Sequence, residues 1–217
     1  MYANLQKINK KLEASYGNLQ RSKNENLYES QPADKLSRYL FAKIHSYNVV
    51  HVWSETGAYS SGGAGFVLQK ILELYRLKVI FSIGVAFGMS LLEQRLCDTI
   101  ISQTVYAYDK GIKVTKEGIT QKGEQLVRTS PWISDKMKQR RDLYVNNKYN
   151  VHKGDILSGE AVVSDTSYKE KITELFYSRK FVGGEMEGYG IYMQAQIKKI
   201  PCVVIKGLCD WGMQKMI

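Results

Sequence analysis

The chain has 217 residues, of which 44% are hydrophobic and 24% charged, and 31 Lys and Arg against 21 Asp and Glu give a formal net charge of +10. That balance excludes global disorder and is enough to bury a sizeable core. No apolar stretch reaches the length of a membrane span, MYANLQKINKKLEASYG lacks the apolar centre of a signal peptide, and three scattered cysteines suit reduced thiols in a cytoplasmic setting.

In chain order, Leu5, Ile8 and Leu12 share one face of a short predicted helix. Residues 17–32 read as a loop or a poor strand, and Asp34 to Ile44 as a second helix with Leu36, Tyr39, Leu40 and Phe41 inward. NVVHVW (48–53) reads as a strand and ETGAYSSGG (55–63) as a small-residue loop. AGFVLQKILELYR (64–76) carries apolar residues at helical spacing, and the apolar run in KVIFSIGVAFG (78–88) favours a strand covered on both faces. Strand, helix and strand at this spacing predict a βαβ unit in a largely parallel sheet.

Further on, 98–109 and 154–164 are β-rich, 167–178 has helical spacing, and FVGGEM (181–186) leads into another helix. PCVVIKGLCD (201–210) is a final interior strand that opens on Pro201, where a missing donor is tolerated. The expected architecture is a single α/β domain with 48–53, 78–83, 98–106 and 201–206 in one sheet. Cys202 is expected in its core.

Ligands of such sheets gather beyond the C-terminal ends of the strands. Small-residue segments fall there at Glu55–Gly65, Gly84–Gly88, Gly159–Ala161 and Gly207–Gly212. The glycines at 62, 63 and 65 open a helix, where free backbone donors suit an anion or a polar sugar. Their spacing matches neither a dinucleotide fingerprint nor a Walker A loop.

Carboxylates carry more of the chemistry. Glu185 and Glu187 stand at a strand-to-helix junction among glycines, and one carboxylate can accept from two vicinal hydroxyls. Asp210 ends an apolar strand, where desolvation suits a general acid. The same residues also suit helix capping, and the pattern alone leaves both readings open.

Other chemistries find less support. His45, His51 and His152 are dispersed and no CxxC or HxxxH set exists, so neither metal nor cofactor is expected. Cys209 adjoins Asp210 but has no assigned histidine beside it, which disfavours a thiol nucleophile. The basic clusters Lys7, Lys10, Lys11 and Lys136, Lys138, Arg140, Arg141 lack aromatic interleaving, which disfavours nucleic acid.

Five pieces together resemble the nucleoside phosphorylase and nucleosidase superfamily, and within it the methylthioadenosine/S-adenosylhomocysteine nucleosidase-like branch. They are SIGVAFGM (82–89), CDTIISQTVYAYD (97–109), GDILSGEAVV (154–163), GGEMEGYGIY (183–192) and VVIKGLCDWG (203–212), in family order. Cys97 stands where the family's G-D-x-x-x-S strand has glycine. The resemblance implies a three-layer α/β/α phosphorylase-like fold with a central mixed, partly curled sheet.

It also implies roles. Glu187 matches the ligand of the ribose 2′- and 3′-hydroxyls, Met186 matches the methionine under the sugar, and Glu185 is a further substrate-binding candidate. Asp210 matches the acid that protonates N7 of a purine. Val85, Ala86, Phe87 and Gly88 match the segment lining the base, and Val162 and Val163 the segment closing over it, where the family often has an aromatic. The phosphate-binding arginine and serine positions of the phosphorylases read Ser82 and Val85, which favours water over phosphate as nucleophile.

The expected function is hydrolysis of the N-glycosidic bond of a purine nucleoside or derivative by a cytoplasmic homodimer. Two departures favour a rival reading. The family's first apolar strand, with its water-positioning glutamate, has no counterpart, and the final helix after C-D-W-G is absent. The 1–217 domain is therefore expected to be incomplete at both ends, and a weakly active or inactive module binding a purine or a protein is the alternative. Phosphate-dependent cleavage is a second alternative.

Overall fold

The computed structural model describes residues 28–30, 39–44, 46–116, 118–121, 125–139, 149–176 and 179–213. Contacts divide the chain into two units, Met1–Ser54 and Glu55–Ile217.

In the first unit, β1 (Tyr28–Ser30), β2 (Tyr39–Ile44) and β3 (Tyr47–Val52) form an antiparallel sheet in that order. Pairing runs from Tyr39 opposite Val52 to Ile44 opposite Tyr47. Two expectations are corrected here. Tyr39–Ile44 is a strand and not the end of a helix, because Tyr39, Leu40 and Phe41 sit at positions that also suit a ladder once β3 is available as partner. β3 also does not join the sheet of 78–83, so the predicted βαβ unit does not form. The helix predicted over Leu5 to Leu12 lies outside the described residues.

The second unit runs α1 (Ala64–Leu74), β4 (Ile80–Phe87), β5 (Thr99–Ala107), β6 (Ile112–Thr115), β7 (Gly118–Gln121), β8 (Leu126–Arg128), α2 (Pro131–Gln139), β9 (Val151–Ser158), α3 (Thr166–Glu174), β10 (Phe181–Glu185), α4 (Gly188–Ile197) and β11 (Cys202–Asp210). The strands at 78–83, 98–106 and 201–206 share a six-stranded sheet in the order β11-β4-β10-β9-β5-β8, as expected. The pair β6 and β7 stands apart as a hairpin, and the sequence reading did not anticipate it, β8 or α2.

The sheet is mixed and curls. β4 is parallel to β11, and β9 is parallel to both β5 and β10, while β10 meets β4 and β11 meets β5 antiparallel. The β11–β5 pairing closes β11, β4, β10, β9 and β5 into a ring.

Side chains alternate across the ring's two faces. Ile100 and Val204 turn into a cluster with Ala64 and Leu68 of α1 and Tyr189 and Ala195 of α4. Their neighbours Ile101 and Val203 turn the other way, onto Ile133 and Met137 of α2. Helices therefore cover both faces. A third cluster joins Phe87, Tyr106, Leu157 and Val163 to Ile172 of α3 and to Phe176 and Phe181. Full burial of such side chains stabilises by about 1.5–3 kcal/mol each. Asp165 starts α3 by accepting from Tyr168 N at 2.8 Å.

One edge of β5 is shared by two strands. β11 pairs along Thr99–Ile101 and β8 along Thr104–Tyr106. At the fork, Val204 N donates to Ser102 Oγ at 3.0 Å instead of to a strand carbonyl. Ser102 Oγ also meets Tyr192 Oη at 2.8 Å and Thr129 Oγ1 at 3.0 Å, and Thr129 Oγ1 donates to Ser102 O at 2.7 Å. The serine of the G-D-x-x-x-S segment thus fills a gap in the ladder with hydroxyls. Buried amides left without such partners cost about 1–3 kcal/mol.

Candidate active site

Phe87 marks where the ends of the strands that carry or lead to the candidate residues converge. In register it stands opposite Gly184 at the end of β10 and beside Asp210 at the end of β11. A Cβ on Gly184 would run into the Phe87 ring, and one on Gly183 would lie 2.8 Å from the Phe87 carbonyl oxygen, so the glycines make room for the close approach of β10 to β4. The other small-residue segments join this corner. Gly159 N donates to Glu185 O at 3.1 Å and Gly88 N to Asp210 O at 2.9 Å. Gly57 N donates to Glu187 Oε1 at 3.1 Å, and Ala58 N to Glu160 Oε1 at 2.7 Å.

The two glutamates divide the readings that the sequence left open. Glu185 has a fully buried side chain and caps α4 from the strand, accepting from Glu187 N at 3.0 Å and from Gly188 N at 2.8 Å. Glu187 occupies the N-cap position of α4 without a side-chain cap bond. Its carboxylate instead meets the Gly57 amide on one oxygen and, on the other, Lys206 Nζ at 2.7 Å. Its side chain keeps 18% of its surface exposed. Met186, between them, is half-buried.

Lys206 is the residue that sequence reasoning missed. It is 2% exposed, in mid-strand, and bridges Glu187 to Glu185 at 3.1 Å. The available signal was a lysine inside the apolar run CVVIKGLCD. Burial alone would depress its ammonium, but the two carboxylates outweigh that and hold its pKa above the ordinary 10.5. The resulting stabilisation is complete below pH 10.5 and is lost only as pH climbs through the raised value.

Asp210 is exposed at the end of β11, which corrects the desolvated setting expected from its apolar strand: the strand's last residues, Cys209 and Asp210, emerge from the core. Its Oδ1 accepts from Gly212 N at 2.8 Å and its Oδ2 from Cys209 Sγ at 3.2 Å. Lys169, 8% exposed, donates to the following carbonyl, Trp211 O, at 2.8 Å.

The segments matched to the base pocket split. Ala86, Phe87 and Gly88 are buried, while Val85 is 52% exposed on the same side of β4 as Phe81 and Ile83. Val163 is buried in the cluster with Phe87, and Val162 is 74% exposed. Glu160 also went unread as a loop anchor. The loop at 57–65 departs from expectation, since its helix-opening amides are already engaged. Gly63 N donates to Ser60 O, Ala64 N to Gly57 O and Gly65 N to Ala58 O. They are not free for an anion. Cys202 is buried, as expected. Among the described residues, no group of His, Cys, Asp and Glu has the arrangement of a metal site. No helix among them is long and apolar enough to cross a membrane.

The chain is similar to known nucleosidases. It is 31% identical over 170 residues, 70% of its length, to a death domain-containing ATP nucleosidase of Amphimedon queenslandica, and spans 32% of that protein. It is 24% identical over 181 residues, 82% of the chain and 74% of the relative, to the aminodeoxyfutalosine nucleosidase of Campylobacter jejuni. Its fold is that of the 5′-methylthioadenosine/S-adenosylhomocysteine nucleosidase of Neisseria meningitidis in complex with methylthio-immucillin-A, with a TM-score of 0.74 at 18% identity, covering 91% of this chain and 82% of that one. The phosphorylase superfamily model matches residues 14–216. With the curled mixed sheet and the family's segments in order along it, the chain belongs to the phosphorylase superfamily.

Proposed function

We propose that the chain hydrolyses the N-glycosidic bond of a purine nucleoside or a nucleoside derivative. The observation that carries this reading is the convergence on Phe87, which draws the Glu187 end of β10 and Asp210 together. Glu187 accepts from the ribose 2′- and 3′-hydroxyls, and Lys206 and the Gly57 amide hold it in one orientation. Its charge also lies near the sugar as C1′ becomes oxocarbenium-like. Asp210 donates a proton to N7 of the base, so the leaving group departs neutral. Positioned proton transfer of this kind contributes about 10²–10⁴-fold. Water then adds to C1′ and its proton passes to bulk water.

Hydrolysis is favoured over phosphorolysis by the residues at the phosphorylase phosphate positions. Ser82 is 5% exposed and Val85 is apolar, and neither brings a cation to a phosphate. A second reading, a weakly active or silent purine-binding module, draws on the bonds Asp210 already makes, since both its oxygens are engaged by the chain.

The test is incubation with adenosine, inosine, methylthioadenosine, AMP and ATP, with and without phosphate, followed by detection of free base. Release independent of phosphate is expected. Release only with phosphate, with a sugar-1-phosphate product, would reverse the nucleophile. Binding without release would favour the silent module. A homodimer belongs to the same reading, motivated by exposed Phe81, Ile83 and Val85, and sedimentation as a monomer throughout the micromolar range would reject it.

A further inference from the structure

Two of the three cysteines lie close together where β11 passes the turn that opens β5. β5 and β11 run antiparallel with Thr99 opposite Gly207. Beyond that pair, Leu208 N donates to Asp98 O and Cys97 N donates to Leu208 O, both at 2.8 Å. Asp98 N donates to Arg95 O at 3.0 Å, closing a turn whose third residue, Cys97, has φ 73°. Cys97 and Asp98 thus stand together opposite Leu208, a bulge whose first position favours glycine. The consequence is that Cys97 lies against the peptide linking Leu208 to Cys209.

The Cys97 amide is hydrogen-bonded at 2.8 Å to the carbonyl of the Leu208–Cys209 peptide, which brings the two cysteine Cα atoms near the ~4.4–6.8 Å range that a disulfide spans. Cys97 and Cys209 are both exposed, while Cys202 is buried. Cys209 Sγ now rests 3.5 Å from Ala86 O and 3.2 Å from Asp210 Oδ2. A single change of χ1 rotamer turns it off the β4 side.

We propose that Cys97 and Cys209 form a reversible disulfide by exchange with a low-molecular-weight disulfide. The Cys97 thiolate attacks one sulfur of the small disulfide, whose S–S bond breaks and releases one thiolate. Cys209 gives up its proton, attacks the Cys97 sulfur and expels the second thiolate. The two protein sulfurs lose two electrons in total, and the small disulfide becomes two thiols. Cys209 is exposed as a residue, but its sulfur is turned in against Ala86 O, and that partial burial, then the hydrogen bond to Asp210, pushes the thiol up to about 12. Exposed Cys97 therefore reacts first, and Cys209 acts as the resolving thiol. The cross-link ties the strand end carrying Asp210 to β5 and withdraws the thiol donor from Oδ2. It concerns the thiols alone and stands whether or not the chain cleaves nucleosides.

The experiment exposes the full chain to oxidised glutathione, alkylates the remaining thiols, digests without reduction and maps the peptides by mass. The expected result is one linked pair joining the Cys97 and Cys209 peptides, with both sites lost to alkylation and restored by dithiothreitol. Cys202→Ala retains the link, and Cys209→Ser leaves Cys97 carrying glutathione. Separate glutathione adducts on Cys97 and Cys209 in the unsubstituted chain, or continued alkylation of both, would overturn the proposal.

Discussion

Asp98 and Glu187 are both carboxylates held by backbone amides and a basic side chain, and they differ in what is left open. Asp98 is fully buried and accepts from Arg95 N at 3.0 Å, Asn150 N at 2.9 Å and His152 Nε2 at 2.7 Å. Glu187 is held by one amide and by Lys206, and part of it still reaches solvent. The first pins the turn before β5 to the start of β9. The second is oriented and retains room to accept from a ligand. Enclosure of the carboxylate, more than the number of its partners, separates a structural clasp from a candidate site.

Lys206→Met tests that distinction hardest. It leaves Glu185 and Glu187 together without their cation, and breaking such a buried pair costs about 3–5 kcal/mol. Urea unfolding reads this as a drop in midpoint, and an unchanged midpoint would mean that the cluster is not structurally coupled. Asp210→Asn separates chemistry from stability at the exposed end of the same strand. Base release should fall at least about tenfold, since the amide cannot supply the proton, while the unfolding midpoint stays put. Equal losses in both measurements would make Asp210 a structural residue like Asp98.

Asp98 itself predicts an acid slope. Burial pushes its carboxyl up, but the hydrogen bonds from Asn150, His152 and Arg95 outweigh burial and hold its pKa below the ordinary 3.8. Its stabilisation is therefore present above pH 3.8 and is lost as pH falls through the lowered value. In Asp98→Asn that part of the slope disappears, which melting curves below pH 4 resolve against the unsubstituted chain, at about 1.5–3 kcal/mol for hydrogen bonds to a charged group. The smallest effect belongs to Cys97→Gly, which relieves the φ of 73° beside this clasp. It should stabilise by about 1 kcal/mol, and a lower melting point would show that the thiol contributes more than the turn loses.

Much of the second unit was legible in the sequence because its signals are local. Helical spacing marked α1 and α3, apolar runs marked β4 and β11, and the glycines at 183 and 184 marked the strand-to-helix junction of Glu185 and Glu187. Partner choice was not legible. NVVHVW alternates like any strand, and nothing within it says that Tyr39–Ile44 will pair with it before Ile80–Phe87 does. Tyr39, Leu40 and Phe41 fit two periods at once, and a neighbour settled the matter. Lys206 was hidden for the opposite reason: its place in an apolar strand makes sense only once Glu185 and Glu187 are seen above it, nineteen and more residues away in sequence. Glu160 reads as one more acidic residue until Ala58 N is found on it.

The fork on β5 has a consequence for how the sheet comes apart. β8 lies at the edge, paired along Thr104–Tyr106 with flanking bonds from Ala107 N to Gln125 O and from Thr129 N to Gln103 O, and β11 holds the neighbouring stretch within the closed ring. Amide hydrogen exchange should therefore be stepwise across two adjacent residues' worth of sheet. Leu126 to Arg128 exchange through a local opening, whereas Val204 N, capped by Ser102 Oγ and enclosed at 0% exposure, exchanges only when the ring itself opens. The serine that fills the gap is thereby the boundary between two cooperative units of one sheet.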